Sequence, residues 1–248
     1  MRNVVAIVDF HNVFNRNVMQ LTEEQYLSFF TSLAEQIVGD VDDEHYVSIR
    51  LYGGWYQQTT MSNAASDVQT KISHLRIFDS HPLDNRKRLR GKVELALVQN
   101  GLDLIWYNTL QEKQGLPRLR IDQQMQGESC TRNESRCPVH ILKKFLNTKR
   151  TICQTEGCRT IHQQVFYRRE QKMVDTMMTC DTLTYASDPE VNSVYVVSDD
   201  IDLFPGIAIS KVMNAGKDIH LLVSSDQTRE RYMATLNHFH IDVQKYLL

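Results

Sequence analysis

Four carboxylates at three separated places in the chain have the residue type and the setting that a divalent-metal site requires. They are Asp9, Asp175, Asp200 and Asp202. Four such groups cannot lie together uncompensated, because like charges at short range raise one another's pKa values. Mg²⁺ or Mn²⁺ would neutralise them, bridge a phosphate, lower the pKa of an attacking water and stabilise the leaving oxyanion. The pattern therefore favours metal-dependent hydrolysis of phosphodiester bonds.

Two of these places directly follow short apolar stretches that read as buried strands of a parallel sheet. Val4 to Val8 ends at Asp9, and Val194 to Val197 is followed by Ser198 and the acidic run. β-Branched residues without polar alternation suit strands covered on both faces. In open α/β sheets ligands bind outside the carboxyl ends of the strands, so we expect these acids to face a crevice. The alternative is a solvated acidic turn.

The third place is a predicted helix that begins near Glu170. Lys172 and Asp175 are three residues apart and would share one helical face. Lys172 is then a candidate to orient a carboxylate or to meet a substrate phosphate. Asp181 lies about 240° around the same helix from Asp175 and is interpreted as structural. The chain has no Gly-rich phosphate loop of the Walker type, which argues against a nucleoside triphosphatase.

The rest of the pattern predicts one α/β domain in which strands and helices alternate. Thr22 and Gln25 form a capping-box pattern before a helix that ends at Gly39. Further strands are predicted over 47–51, 75–78 and 219–223, and further helices over 61–74 and 204–212. Between Pro82 and Pro117 the sequence pattern does not predict the order of the strands.

Basic residues are concentrated in two runs, although the formal net charge of the 248-residue chain is only -2. The residues predicted to bind a nucleic-acid backbone are Arg86, Lys87, Arg88, Arg90, Lys143, Lys144, Lys149, Arg150, Arg168 and Arg169. Two basic runs beside an acidic site suggest a polyanionic substrate. Each run can equally be a solvated face, and the first can be either a flexible loop or a solvated hairpin edge.

The location of the protein is predicted from two signals that the sequence does not show. The apolar stretch near the N-terminus is too short for a signal peptide, and no window of about 18 apolar residues is present for a membrane span. We therefore expect a cytoplasmic protein. In a reducing compartment its cysteines are better interpreted as metal ligands or core thiols than as disulfides.

Residues 128–163 are predicted to form an inserted zinc-binding element. Two similar knuckles, C-TRNESR-C-PV-H and C-QTEG-C-RTI-H, supply the thiolates and imidazoles that a tetrahedral zinc site needs. The preferred ligands are Cys130, Cys137, Cys153 and Cys158, with His140 or His162 as alternates for one of them. Four protein ligands leave no open position for water, so this zinc would be structural. The alternative is a set of unrelated thiols in a long loop.

Three segments together resemble the NYN domain, a branch of the PIN-like nuclease superfamily. They read VDFHNVF, EQKMVDTMMTCDTL and VYVVSDDIDLFPGIAISKVMNAGKDIHLL. The family's order of Asp-x-x-Asn, Lys-x-x-Asp and Ser-x-Asp-x-Asp-x-x-Pro is matched by Asp9 with Asn12, Lys172 with Asp175, and Ser198, Asp200 and Asp202 with Pro205. The match covers roughly 1–55 and 165–225. It departs at Asp199, where glycine is frequent, and at His11, where a small or acidic residue is usual.

This resemblance implies a PIN-like three-layer sandwich over 1–248, with a central, mainly parallel sheet between helices, a divalent-metal site and ribonuclease activity. It also implies that Asn12, Ser198 and Lys172 belong to the catalytic site. Some bacterial members look similar in carrying a cysteine knuckle just upstream of the acidic helix, as Cys153 and Cys158 do here.

Two other functional classes, a phosphatase and a non-catalytic binding protein, share features with this sequence. A haloacid-dehalogenase-like phosphatase needs a second Asp at the place of His11, and this mismatch disfavours it. A non-catalytic nucleic-acid-binding or regulatory protein would use the zinc element and the basic residues. Its hallmark would be a missing acid, yet all four acids are present. Whether the chain forms a homodimer or binds a regulatory protein is left open.

Overall fold

The computed structural model describes residues 1–14, 21–39, 44–75, 82–84, 87–101, 104–115, 136–147, 155–161 and 165–246, with backbone alone for 82–84, 87–88 and 143–147. The chain divides into two compact units, Met1–Leu110 with Gln171–Leu248, and Gln111–Glu170. The predicted insertion, 128–163, falls inside the second unit, which extends beyond it on both sides. Among the described helices, none has the length and apolarity needed to cross a lipid bilayer.

Strands and helices alternate along most of the chain. The strands are β1 (Arg2–Asp9), β2 (His45–Tyr52), β3 (Tyr56–Gln57), β4 (Thr60–Met61), β5 (Pro82–Asp84), β6 (Lys87–Leu95), β7 (Val98–Gln99), β8 (Leu104–Ile105), β9 (Leu110–Gln114), β10 (Tyr167–Gln171), β11 (Ser193–Val197), β12 (Asp218–Val223) and β13 (Asp242–Lys245). The helices are α1 (Phe10–Phe14), α2 (Glu23–Val38), α3 (Asn63–Ser73), α4 (Pro138–Asn147), α5 (Val174–Ser187), α6 (Phe204–Met213) and α7 (Asp226–Leu236). Two 3₁₀ turns follow β11 and α7, at Ile201–Leu203 and Asn237–Phe239.

A seven-stranded sheet in the order β13-β12-β11-β1-β2-β6-β5 forms the centre of the first unit. The six strands from β13 to β6 are parallel, and β5 alone runs antiparallel to its neighbour β6. The predicted α/β architecture, with helices flanking a central and mainly parallel sheet, is confirmed. The strands at 47–51 and 219–223 and the helices at 61–74 and 204–212 are found within about two residues of their predicted bounds.

The core lies on both faces of this sheet, which explains why its central strands lack polar alternation. Val4, Ala6 and Val8 of β1 pack with α2 and α3, whereas Val5 and Ile7 pack with α5, α6 and α7. All five side chains are at most 5% exposed. Burial on both faces makes each of these positions apolar, and a continuous apolar run results.

Helix α2 begins with the predicted capping box. The side chain of Thr22 accepts the backbone N–H of Gln25, and the side chain of Gln25 accepts the backbone N–H of Thr22. The apolar residues at helical spacing, Phe30, Leu33, Ala34 and Ile37, are buried against the sheet. The helix ends at Gly39, whose φ of 59° lies in the region that favours glycine.

The described part of the first basic run lies in β6, the second strand from one edge of the sheet. Strand β6 carries Lys87, Arg88 and Arg90 and pairs with β2 on one side and β5 on the other. Of the two alternatives for this run, the hairpin edge is the one found for its described residues. A Cβ atom at Gly91 would lie 1.9 Å from the carbonyl oxygen of Val47, so only glycine allows this approach of β6 to β2. Most of the strand predicted at 75–78 lies outside the described residues.

The second unit contains α4 and most of β9 and β10, which are hydrogen-bonded neighbours. Within it, the backbone N–H of Gly115 donates to the carbonyl oxygen of Phe166 at 2.7 Å. The predicted helix start near Glu170 is wrong, because β10 continues to Gln171 and α5 begins only at Val174.

Candidate metal centre

Three of the four predicted carboxylates meet in one place. Asp9, Asp175 and Asp200 each offer an oxygen atom, and these three atoms lie within 4.8 Å of one another. Asp9 ends β1 and Asp200 follows β11; these strands are parallel neighbours, so their carboxyl ends are adjacent. Asp175 comes from the first turn of α5, which packs against the same strands. The convergence predicted from separated stretches of sequence is therefore present for these three residues.

Asp9 is the buried member of the group, with 6% exposure. Its Oδ1 accepts the backbone N–H of Asn12 at 3.2 Å, and its Oδ2 accepts the hydroxyl of Ser198 at 3.1 Å. Burial raises the pKa of Asp9 to about 6, and the charges of Asp175 and Asp200 add to that rise while the two hydrogen bonds oppose it. An anion that is this costly to hold alone is well suited to a bound cation.

Ser198 and Asn12 position the acids. Ser198 is fully buried, and the oxygen that donates to Asp9 also accepts the backbone N–H of Asp200 at 3.0 Å. Asn12 Oδ1 accepts the backbone N–H of Asp199 at 2.9 Å, which ties α1 to the chain leaving β11. Both residues were predicted to belong to the site; Ser198 is buried against Asp9, and Asn12 is exposed next to it.

Asp202 is not part of the carboxylate group, contrary to the prediction that it is a fourth ligand. Asp200 caps the 3₁₀ turn Ile201–Leu203 by accepting the backbone N–H of Asp202 at 2.9 Å, and this turn leaves Asp202 exposed. Its charge still reaches the site. Burial, then Asp200, then Asp202 raise the pKa of Asp175 above its usual range.

Helix α5 brings Asp175 to the strand tips through a close helix contact. Gly206 of α6 lies against Thr179, one turn beyond Asp175, and a Cβ atom at position 206 would lie 2.5 Å from Thr179 Cγ2. The residue before the helix, Met173, has a left-handed φ of 65° and makes no side-chain cap. A carboxylate in the first turn of a helix is favoured by the helix dipole.

Lys172 does not share a helical face with Asp175, because it precedes the helix. It lies between β10 and Met173, half-buried, and its backbone N–H donates to the carbonyl oxygen of Thr109 at 2.9 Å. The physical reason for the error is the strand pairing of β10, which holds the chain extended to Gln171. A contact of Lys172 with substrate phosphate stays a prediction.

Two other aspartates near these elements have structural partners. Asp199 accepts the backbone N–H of Ser224 at 2.8 Å and the Ser224 hydroxyl, while its own carbonyl oxygen accepts the hydroxyl of Tyr232 at 2.5 Å. It therefore joins the tips of β11 and β12, a role that the sequence did not reveal. Asp181 is 1% exposed and accepts from the Tyr52 hydroxyl, as expected of a structural residue.

The predicted zinc ligands are described in part. Cys137 and Cys158 are half-buried thiols, and Cys158 Sγ lies 3.3 Å from Thr160 Oγ1. His140 Nε2 is buried without a hydrogen-bond partner. Within the described ranges, these three residues do not form a cluster that could hold a metal. Cys130, Cys153 and His162 lie outside the described residues, so the zinc site stays a prediction.

The basic residues predicted to bind RNA lie on both units. Arg90 is exposed on β6, and Lys143 and Lys144 are on α4. In the second unit Arg168 pairs with Glu170 at 2.5 Å and Arg169 with Glu112 at 3.0 Å, so a glutamate balances each of these two charges. The remaining predicted positions without description are Arg86, Lys149 and Arg150.

The chain matches no protein-family model, no curated protein and no solved structure.

Proposed function

We propose that this protein is a divalent-metal-dependent endoribonuclease that hydrolyses RNA phosphodiester bonds, with Asp9, Asp175 and Asp200 holding Mg²⁺ or Mn²⁺. The observation that supports this most directly is the approach of the three carboxylates to within 4.8 Å. An all-oxygen, carboxylate donor set suits hard cations that keep several waters and also bind phosphate. The choice of RNA rests on the resemblance to the NYN domain.

The roles of the residues follow from their positions. When bound, the cation would neutralise charge at the phosphate and polarise its oxygen. Ser198 donates to the carboxylate of Asp9, and the carboxylate of Asp200 accepts the backbone N–H of Asp202, so both side chains are held by hydrogen bonds before any ligand arrives. Asp202, exposed beside this group, would be a candidate to orient an attacking water. Lys172 and the exposed Arg90 are candidates to contact substrate phosphates.

Asp200→Asn tests this proposal directly. The matched control is Asp218→Asn, because Asp218 begins β12 at the opposite end of the sheet and is exposed. Cleavage of single-stranded, structured and transfer RNAs would be measured with Mg²⁺, with Mn²⁺ and with chelator. We expect cleavage to fall more than about 100-fold in Asp200→Asn and in chelator, and to persist in Asp218→Asn.

Cleavage that survives in chelator, or in Asp200→Asn at the wild-type rate, would overturn the proposal. Binding of RNA without cleavage under any metal would favour the non-catalytic nucleic-acid-binding alternative.

We also propose a structural zinc in the element at 128–163, held by Cys130, Cys137, Cys153 and Cys158 or with His140 or His162 in place of one of them. The unpartnered and buried Nε2 of His140 supports an imidazole ligand, because a buried nitrogen without a partner is costly. Metal analysis should find about one zinc per chain, lost in Cys137→Ser and kept in Cys180→Ser on α5. The absence of zinc from reduced, freshly purified protein would contradict this.

A further inference from the structure

Two aromatic ring pairs, linked by the peptide bond between Trp55 and Tyr56, form a row that ends at the surface. Its members are His11, Trp55, Tyr56 and Tyr107. The ring centroids of His11 and Trp55 are 6.0 Å apart, and Tyr56 follows Trp55 in the chain. The rings of Tyr56 and Tyr107 meet edge to face with centroids 5.2 Å apart. His11 is two residues after Asp9 in the chain.

The row lies at the carboxyl edge of the sheet, where the acids also lie. The last residue of β2, Tyr52, pairs with Asp9 at the end of β1. The chain then turns through Gly53 and Gly54 to Trp55, whose indole N–H donates back to the carbonyl oxygen of Leu51 at 2.8 Å. This bond keeps Trp55 against the end of β2.

Exposure increases from Trp55 to Tyr107. Trp55 is 1% exposed, His11 and Tyr56 are half-buried, and Tyr107 is 43% exposed. The row therefore joins the buried indole of Trp55 to the accessible phenol ring of Tyr107. Flat rings of this kind carry large contact area at a low cost in conformational entropy.

Hydrogen bonds hold the exposed end in place. The backbone N–H of Asn108 donates to the carbonyl oxygen of Gln58 at 2.9 Å, and that of Tyr56 donates to Thr109 Oγ1 at 3.0 Å. The carbonyl oxygen of Thr109 accepts the N–H of Lys172, three residues before Asp175. The segment that carries Tyr107 is thus bonded both to the row and to the chain that delivers Asp175.

We propose that Tyr107 and Tyr56 form a stacking platform for an unpaired base of a single-stranded RNA whose phosphodiester reaches Asp9, Asp175 and Asp200. This inference rests on the proposed function and narrows its substrate class. Exposed aromatic rings bind single strands by stacking, whatever the base, because every base presents a flat face. A base within a duplex is already stacked on its neighbours and is not available to the ring.

The platform is tested by equilibrium binding to a fluorescent single-stranded RNA oligonucleotide, with chelator present to prevent cleavage. The variants are Tyr107→Ala and Tyr107→Phe, and the control is Leu104→Ala, which removes a nearby apolar side chain that is 48% exposed. We expect Kd to rise about tenfold in Tyr107→Ala and to stay unchanged in Tyr107→Phe and Leu104→Ala. An oligonucleotide with abasic sites should bind the wild type as weakly as the intact one binds Tyr107→Ala.

The contrary results separate the two proposals. If the wild type cleaves RNA but Tyr107→Ala binds the probe as tightly as the wild type, the platform is wrong and the nuclease assignment stands. If Tyr107→Ala weakens binding but no metal supports cleavage, the platform stands and the nuclease assignment fails. A wild type that neither binds nor cleaves single-stranded RNA would overturn both.

Discussion

The hydroxyl of Ser198 donates to Asp9 Oδ2 across 3.1 Å, and the same oxygen accepts the backbone N–H of Asp200 at 3.0 Å. One buried hydroxyl therefore joins the carboxylate of Asp9 to the backbone at Asp200, two residues that are far apart in the chain. Residues that orient metal ligands in this way contribute to affinity without touching the ion.

Ser198→Ala should weaken metal binding about 10- to 100-fold while leaving the protein folded, because the carboxylate of Asp9 loses the bond that orients it and the backbone N–H of Asp200 loses its acceptor. Titration with Mn²⁺ would measure the change in affinity. The control is Ser210→Ala, since Ser210 is equally buried but donates to the carbonyl oxygen of Gly206 in α6. Equal metal affinity in Ser198→Ala and wild type would contradict this role.

The stability of the metal-free protein should fall as pH rises between about 4 and 6. Burial raises the pKa of Asp9 to about 6 from its ordinary 3.8, so the folded state holds a proton that the unfolded state has released in this range. The protonated carboxyl of Asp9 contributes its full stabilisation below the pKa that this group has in the unfolded state. The contribution is lost as the pH rises above the pKa of Asp9 in the folded state. Asp9→Asn has no charge to bury, so at pH 8 in chelator it should be more stable than wild type by up to about 3 kcal/mol.

Denaturant titrations at pH 4 and pH 8 would measure this difference, which should vanish at the lower pH. Adding Mg²⁺ at pH 8 should stabilise the wild type and not Asp9→Asn. If Asp9→Asn were less stable than the wild type at pH 8 without metal, the buried charge of Asp9 would not be destabilising the folded protein.

Gly206→Ala should destabilise the protein by about 1–3 kcal/mol and weaken metal binding, because the added methyl group would overlap Thr179 and move α5. Gly216→Ala is the control, since a Cβ atom there meets nothing within 4 Å. Thermal unfolding and Mn²⁺ titration would record both effects. The double variant Gly206→Ala with Thr179→Ala should recover part of each loss; no recovery would place the cause elsewhere.

Tyr52→Phe and Tyr26→Phe should have opposite effects on stability, although both rings are fully buried. The Tyr52 hydroxyl donates to Asp181 Oδ2, which also lies 3.6 Å from Arg50 Nη2. Removal of the Tyr52 hydroxyl should therefore lower the free energy of unfolding by about 1–3 kcal/mol. The Tyr26 hydroxyl is buried without a hydrogen-bond partner. Its removal should gain about 1 kcal/mol, and chemical denaturation would measure both. A loss in both variants would mean that Tyr26 has a partner.

The central strands and the meeting of the acids could be predicted because the signals are local. An apolar run that is buried on both faces and ends at an aspartate is visible in β1 and β11, and parallel strands bring such ends to one edge. The Thr22 capping box is visible for the same reason, since its two partners are three residues apart.

The errors arise where distant partners decide the conformation. Lys172 was predicted on a helix, but β10 is held extended by pairing with β9, more than fifty residues away. The left-handed backbone at Met173, which starts α5 later, has no sequence signal of the kind that glycine provides. The spacing predicts Asp202 as a fourth metal ligand because it does not reveal the 3₁₀ turn that leaves this side chain exposed.

Asp9 ends a strand in the middle of the sheet, Asp200 follows the neighbouring strand and Asp175 belongs to a helix, so a shared cation would cross-link two layers of the protein. An ion that binds only the folded state adds to its stability, and here the added constraint would fall where α5 meets the strand tips. Amide hydrogens in the first turns of α5 should then exchange more slowly with solvent when Mg²⁺ is present. Those of α3, which packs on the opposite face, should exchange at an unchanged rate.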